Sequence, residues 1–220
     1  MASFFNLILD TLAPAGVTLA LNNDARYTTN KVITAAIGTS DEDTAGYQMK
    51  IWGSVDGAAT EADAAWTNFS AEKSITLTEA DGKKTVSLKV RDDVGNESTV
   101  ITKEIILDTA VPVVTITGPD KSKISKVATF DTAAISFTCD VDFVEYKVKV
   151  VPATTSLQDA GVVIGTANGS TNMSGTGEYP DAEAINCTIT GADLEVASAG
   201  DGEKIIKIFV RNAAGTWSVA

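Results

Sequence analysis

The side chains in this sequence that could take part in chemistry are carboxylates and two thiols. Histidine, the commonest metal ligand and a frequent catalytic base, is absent from all 220 residues. The Ser-His-Asp and Cys-His nucleophile systems are therefore excluded. No Asp or Glu lies in a recognisable catalytic motif, so we expect a protein without enzymatic activity.

Aspartate and asparagine concentrate where loops are predicted. One group is predicted at the junction between two domains (Asp108, Asp140, Asp142 and Asn212), and another lies in the first half of the chain (Asp10, Asp41, Glu42, Asp43, Asp92 and Asp93). Ca²⁺ binds about six to eight oxygen ligands, so the junction group is a candidate calcium site, the one cofactor that the sequence suggests. The interpretation that we favour is that these residues begin turns by accepting hydrogen bonds from nearby backbone.

Cys139 and Cys187 both lie in the second half of the chain. Cys139 ends the run 135–139, whose odd positions are predicted to face inward, and Cys187 alternates with Ile185 and Ile189. If these runs are neighbouring antiparallel strands, a disulfide can join them. We favour two reduced thiols that pack as small hydrophobes, because we recognise no export signal in the sequence.

Two aromatic residues, Trp66 and Phe69, follow the small and polar stretch 57–65. Such a pair can form a platform on which a glycan stacks. More often it closes the open side of a β-sandwich, which is the interpretation that we favour on packing grounds.

An internal repeat organises the chain. Segments 7–14 and 34–37 recur 98 residues later, segment 47–51 recurs as 146–150, and segment 81–91 recurs 120 residues later as 201–211. Four matches in the same order predict two homologous domains, 1–109 and 110–220, with an insertion in the second. The repeats contain short alternating runs (32–37, 47–52, 74–78, 85–91 and 99–107) separated by turn residues. The prediction is an all-β fold of two tandem immunoglobulin-like β-sandwiches.

The run Val90-Arg-Asp-Asp-Val-Gly-Asn-Glu-Ser98, preceded by Trp66 and Asp81-Gly-Lys-Lys-Thr-Val86, resembles a bacterial immunoglobulin-like repeat of the Big type. Such repeats occur in bacterial surface proteins, adhesins and phage virion proteins. The first domain resembles the repeat along nearly its whole length, whereas the second has no equivalent of Trp66. The resemblance implies a role in a stalk, in adhesion or in decoration, and no shared chemistry.

Charge and hydropathy restrict the partners. The chain has 17 Lys and Arg against 29 Asp and Glu, a formal charge of −12, and no basic stripe, so we expect no nucleic-acid binding. No apolar run approaches the roughly 18 residues of a transmembrane helix, so we expect no membrane insertion. The short apolar start lacks the basic region and cleavage site of a signal peptide.

The N-terminal segment 4–11 is similar to segment 102–109, the predicted last strand of the first domain. The second domain is predicted to lack a complete edge strand. We therefore expect the N-terminal segment, through Phe5, Leu7, Ile8 and Leu9, to complete the second domain of another copy by strand addition. The alternatives are that residues 2–9 pair with the first domain of their own chain, or that the end of the second domain is frayed.

The leading functional hypothesis is a phage virion accessory protein: a capsid decoration, fibre, neck or tail-surface subunit. Such a protein is made in the host cytoplasm and is located on the virion surface, with other virion proteins and itself as partners. The alternative is an adhesin or stalk fragment of the bacterial cell surface. The third hypothesis is a carbohydrate-binding module with a glycan as its ligand.

Overall fold

The computed structural model describes residues 6–219. The chain divides into two compact units, Met1–Thr109 and Ala110–Ala220. Both are built of short β-strands packed face to face, so the predicted all-β sandwich fold is confirmed. Among the described residues, no helix is long and apolar enough to cross a membrane.

The first unit is a sandwich of two sheets. Its strands are β1 Thr18–Leu21, β2 Tyr27–Thr28, β3 Val32–Gly38, β4 Gln48–Gly53, β5 Thr67–Asn68, β6 Glu72–Thr76, β7 Gly82–Arg91 and β8 Ile101–Leu107. A three-stranded sheet has the order β1-β3-β6, and a five-stranded sheet has the order β2-β8-β7-β4-β5. All pairs are antiparallel except β2 with β8.

Alternation of apolar and polar residues builds the core of this unit. Successive side chains of a strand point to opposite faces, and Val86, Leu88 and Val90 of β7, which share one face, are fully buried. The last strand adds Ile105 and Leu107 to the same core. Burial of each such side chain contributes about 1.5–3 kcal/mol to folding.

The second unit repeats this plan with an insertion. Its elements are β9 Val114–Thr117, β10 Thr132–Cys139, β11 Phe143–Val150, β12 Val162–Val163, β13 Ser174–Tyr179, β14 Ile185–Thr190, α1 Gly191–Ala197 and β15 Ile206–Arg211. One sheet has the order β14-β10-β9, and in the other β11 pairs with β12 and β13 along one edge and with β15 along the other. β13 pairs with β11 as β5 pairs with β4, so the insertion contributes only β12. The helix α1 follows β14, and the alternation pattern did not predict it.

Aromatic residues fill the second core. Phe137, Phe143 and Tyr146 are buried, and the Phe143 ring stacks on Tyr179 with 4.8 Å between centroids. Burial, with smaller effects of Tyr179 and Cys187, raises the pKa of Tyr146 to about 12. Its hydroxyl is therefore a neutral part of the core at physiological pH.

The sheets correct one match of the sequence repeat. The sequence repeat matches Tyr146 with Tyr47. In the sheets, Tyr146 lies opposite Val210, and Val210 is equivalent to Val90 of the first unit. The residue opposite Val90 is Met49. Tyr146 thus occupies the position of Met49. A shift of two residues leaves the alternation of inward and outward side chains unchanged, so the hydrophobic pattern cannot detect it.

The two units differ at the edge of their larger sheet. In the first unit, β8 covers the edge of β7 from Gly82 to Leu88. Within residues 110–219, the same edge of β15 has only the single bridge between Arg211 and Trp217. β15 is also shorter, with six residues against ten in β7, because residues 202–205 form no strand.

Candidate functional site

Each unit places an arginine at the end of a central strand of its larger sheet. Arg91 ends β7 and Arg211 ends β15, at equivalent positions of the repeat. Each lies opposite a polar residue of the neighbouring strand, which is Gln48 in the first unit and Glu145 in the second. Arg91 Nε donates to Gln48 Oε1 at 2.8 Å, and Arg211 Nη2 contacts Glu145 Oε2 at 2.7 Å.

In the first unit a tryptophan lies over this arginine. The Arg91 guanidinium is 4.4 Å from the centre of the Trp66 ring, and Lys50 Nζ is 4.8 Å from it. The indole is half-buried, so part of its surface stays open to solvent. Each cation–π contact contributes about 0.5–1 kcal/mol at such an exposed site. We call Lys50, Trp66 and Arg91 the first tryptophan face.

The second unit builds a similar cluster from a different part of the chain. Lys147, at the position equivalent to Lys50, has its Nζ 4.7 Å from the centre of the Trp217 ring, and the Arg211 guanidinium is 5.6 Å away. Trp217 follows β15, whereas Trp66 precedes β5. Glu145 forms ion pairs with both cations, at 3.0 Å from Lys147 and 2.7 Å from Arg211. We call Lys147, Arg211 and Trp217 the second tryptophan face.

The chemistry of these faces is that of a binding surface. A half-open indole offers an apolar surface for a flat partner such as a sugar ring, and the adjacent cations offer hydrogen-bond donors. In the first unit Lys89 adds a further cation, held by Glu61 at 2.6 Å and Glu97 at 3.1 Å. Hydrogen bonds to Glu61 and Glu97 raise the pKa of Lys89, so it stays charged at physiological pH.

Trp66 and Phe69, treated as one pair in the sequence, have different surroundings. Phe69 packs against the core of the first unit and meets the Tyr47 ring edge-on at 6.5 Å. Trp66 instead lies over Lys50 and Arg91. The packing interpretation thus describes Phe69, and the platform interpretation remains a hypothesis for Trp66.

The candidate calcium ligands of the second unit bind backbone amides in loops. Asp140 Oδ1 accepts from Val113 N at 2.7 Å, and Asp142 Oδ1 accepts from Asp181 N at 2.9 Å. Asn212 Oδ1 accepts from Thr216 N at 2.8 Å. Asp108, the fourth candidate, belongs to the first unit. Across residues 6–219 no three side chains among Asp, Glu and Cys come together as a metal site.

Acidic residues of the first unit have the same role in loops. Asp41 accepts from Ala15 N, Thr39 Oγ1 and Tyr47 Oη. Asp92 Oδ1 accepts from Val94 N and Asn96 N, at 3.0 and 2.8 Å. Burial acts to raise the pKa of Asp92, but hydrogen bonds from Asn96, Val94 and Gly95 outweigh it and lower the pKa. Asp92 and Asn212 occupy equivalent positions and organise the same turn in the two units.

Both cysteines are free and buried. Residue 187 lies opposite Ile135 in the β10–β14 pair, and Cys139 is four residues further along β10. At about 3.4 Å per residue this displacement is roughly 13 Å, beyond the roughly 7 Å between Cα atoms that a disulfide spans. The disulfide alternative is therefore wrong for this fold. Burial raises the pKa of both thiols, that of Cys187 to about 11.

The proposed assembly segment is exposed where it is described. Leu7, Ile8 and Leu9 are 86%, 89% and 86% exposed, and residues 6–17 form no strand. The alternative of pairing with the first domain therefore does not hold for residues 6–9. Phe5, the remaining residue of this prediction, lies outside the described residues.

Sequence reasoning missed a buried carboxylate in the second unit. Asp193 is 1% exposed, and its oxygens accept from Asn168 N at 3.2 Å, Ser170 N at 3.0 Å and Thr190 Oγ1 at 3.3 Å. The Thr190 side chain in turn accepts from Asp193 N and caps α1. The pattern Thr-x-x-Asp before an apolar residue is the signal that could have located this helix start.

No protein-family model matches the chain, and no curated protein matches it. Among solved structures, the D00-D0 domain of intimin matches at 11% identity and a TM-score of 0.34, and the match covers 92% of this chain and 98% of that one. A carbohydrate-binding module of the β-sandwich superfamily matches at 13% identity and a TM-score of 0.36, covering 95% and 99%.

A chitinase from Bacillus thuringiensis matches at 14% identity and a TM-score of 0.33, over 92% of this chain. The chain spans 30% of the length of that chitinase. At these identities and TM-scores the three matches assign this chain neither a family nor a ligand.

Proposed function

We propose that this protein is a non-enzymatic structural and display protein that exposes two repeated β-sandwich units at a surface. The observation that carries the proposal is the repetition of one outward face. Each unit holds a tryptophan over a lysine and an arginine at equivalent sheet positions, although the two tryptophans come from different loops. One chain with two similar faces can contact a repetitive partner, such as a cell surface or an assembly, at two places at once, which strengthens the overall binding.

The finer form of the proposal is a phage virion accessory protein, such as a capsid decoration, fibre, neck or tail-surface subunit. The resemblance to Big-type repeats supports it, since such repeats occur in virion proteins. The net charge of −12 supports it as well, because such a charge keeps a densely displayed protein soluble. An adhesin or stalk of the bacterial cell surface is the alternative with the same fold.

Immunogold electron microscopy with antibodies against the purified chain distinguishes these two forms. We expect label on phage particles from the source culture and none on cell envelopes from the same culture. Label on the envelopes alone would replace the virion assignment by the adhesin. Label on neither structure would contradict display at a surface altogether.

Carbohydrate binding is a second candidate, favoured by the half-open indoles of the two tryptophan faces. We expect Trp66→Ala combined with Trp217→Ala to weaken glycan binding about tenfold, because each lost aromatic contact is worth about 0.5–1.5 kcal/mol. A glycan array locates the ligand, and calorimetry with the strongest binder measures the affinity.

The control for this experiment is Phe130→Ala. It truncates an aromatic side chain of the second unit that is 68% exposed and belongs to neither tryptophan face. We expect this variant to bind as the unaltered chain does. An array without any bound glycan, or equal affinities of the double variant and the control, would exclude carbohydrate binding through these faces.

A further inference from the structure

Lys50 and Arg91, the two cations of the first tryptophan face, have no carboxylate partner. Within residues 6–219, neither side chain forms an ion pair with an Asp or Glu. In the second tryptophan face, Glu145 pairs with both equivalent cations. The first face therefore keeps two charges that a carboxylate compensates in the second.

Gln48 accounts for this difference. It lies opposite Arg91 in the β4–β7 pair, whereas Glu145 lies opposite Arg211. Gln48 Oε1 accepts hydrogen bonds from Nε of Arg91, at 2.8 Å, and from its Nη2. These bonds fix the plane of the guanidinium but do not neutralise it, because an amide is uncharged. In the part of the chain that the structure describes, Nη1 of Arg91 and Nζ of Lys50 donate to no acceptor, so both offer charged donors to a ligand.

The carboxylates beside this face pair with a different cation. Lys89 lies opposite Lys50, and its Nζ contacts Glu61 at 2.6 Å and Glu97 at 3.1 Å. These two carboxylates and the three cations Lys50, Lys89 and Arg91 sum to a charge of +1, in a chain whose formal charge is −12. Charges more than about 8 Å away are largely screened at physiological ionic strength. The charge of this surface, rather than that of the whole chain, therefore acts on a bound ligand.

A second indole lies on the same side of the sheet. Lys50 and Trp52 are two residues apart on β4 and point to the same face, whereas Ile51 between them packs against the core. Trp52 is half-buried and lies opposite Ser87 of β7. Residues two apart on a strand are separated by about 7 Å. The aromatic surface that a ligand can contact therefore extends beyond Trp66.

We propose that this face binds an acidic oligosaccharide, whose sugar rings carry carboxylate or sulfate groups. The inference rests on the proposed carbohydrate binding by the tryptophan faces and adds the charge of the ligand. One ring stacks on the indole of Trp66, and its anionic group accepts hydrogen bonds from Nζ of Lys50 and Nη1 of Arg91. The next ring lies over Trp52. The open indole favours a sugar over an acidic peptide, because a sugar ring covers it face to face.

A glycan array tests the charge of the ligand. It carries oligosaccharides with uronate, sialate or sulfate groups beside neutral forms of the same chains. We expect the neutral forms to bind about tenfold more weakly than the acidic forms, because charge-assisted hydrogen bonds are about twice as strong as neutral ones. Equal binding of both forms would overturn the inference but leave carbohydrate binding intact. An array with no bound glycan would overturn both.

Gln48→Glu tests the position of the site. It gives the first face the carboxylate of the second, which pairs with Arg91 and repels an anionic ligand. We expect calorimetry with the strongest acidic glycan to show about tenfold weaker binding. Thr34→Glu is the matched control, since it adds the same charge at an exposed position of β3, in the other sheet of the same unit. We expect this control to bind as the unaltered chain does.

Lys50→Gln removes one charged donor without adding a carboxylate, and we expect about fivefold weaker binding in the same measurement. Melting temperatures similar to that of the unaltered chain verify the folding of all three variants. Affinities of Gln48→Glu and Lys50→Gln equal to that of Thr34→Glu would overturn the proposal.

Competition with polyglutamate separates an acidic sugar from an acidic peptide. We expect polyglutamate to leave the acidic glycan bound at the same concentration of carboxylate groups, because a peptide carboxylate brings no ring to stack on Trp66. Displacement of the glycan at that concentration would assign the face to acidic peptides and overturn the proposal.

Discussion

Replacement of Asp193 by alanine is expected to lower the free energy of unfolding of the second unit by about 3 kcal/mol. The buried carboxylate joins the loop at Asn168 and Ser170 to the start of α1, and its loss leaves their amides without an acceptor. Calorimetry that resolves the transitions of the two units measures the effect. An unchanged transition of the second unit would contradict it.

The same carboxylate makes the second unit sensitive to acid. Burial acts to raise the pKa of Asp193, but hydrogen bonds from Ser170 and Asn168 outweigh it, and the pKa falls below its ordinary value of 3.8. Because this pKa is lower in the folded state, the ionised carboxylate stabilises the fold at pH values above the ordinary pKa. The stabilisation is lost as the pH falls through the pKa of the folded state. Asp193→Asn should lack this loss below about pH 4, which chemical denaturation at several pH values measures.

Gly53→Ala is expected to destabilise the first unit by about 3 kcal/mol. Gly53 ends β4 with a φ of +113°, and a β carbon there would lie 2.3 Å from the Thr85 carbonyl oxygen of β7. That oxygen accepts from Ser54 N at 2.7 Å, so it cannot move without breaking the bond between the strands. Thermal unfolding measures the change.

Gly57→Ala is the matched control for this substitution. Gly57 also has a positive φ, of +73°, but a β carbon there meets no atom within 4 Å. The control therefore isolates the backbone cost of a left-handed alanine, about 1 kcal/mol. Equal destabilisation by both variants would show that the contact with Thr85 has no cost of its own.

The strands were predictable because the alternation of apolar and polar residues along each strand shows which side chains are buried. Val86, Leu88 and Val90 alternate with polar residues in the sequence as they do in the sheet, and the repeat of this run shows the second unit. The sequence repeat matches Tyr47 with Tyr146 because both residues are tyrosines, but their strand pairing shows that they are not equivalent. The alternation of apolar and polar residues does not detect this error, because a shift of two residues leaves it unchanged. Register depends on hydrogen bonds between strands, which the sequence does not contain.

The tryptophan faces were not predictable for the same reason. Lys50 and Arg91 are 41 positions apart and become neighbours only through the β4–β7 register. Trp66 was recognised as a candidate without its cations. Asp193 was overlooked because an aspartate near a helix start is usually a solvated cap, and its burial depends on an insertion that has no counterpart in the first unit.

Both thiols belong to the second unit, and the first unit has no cysteine. A thiol reagent reaches Cys139 or Cys187 only after the second unit opens. The rate of labelling under native conditions therefore measures the opening of the second unit, and the first unit, which has no thiol, does not contribute to it.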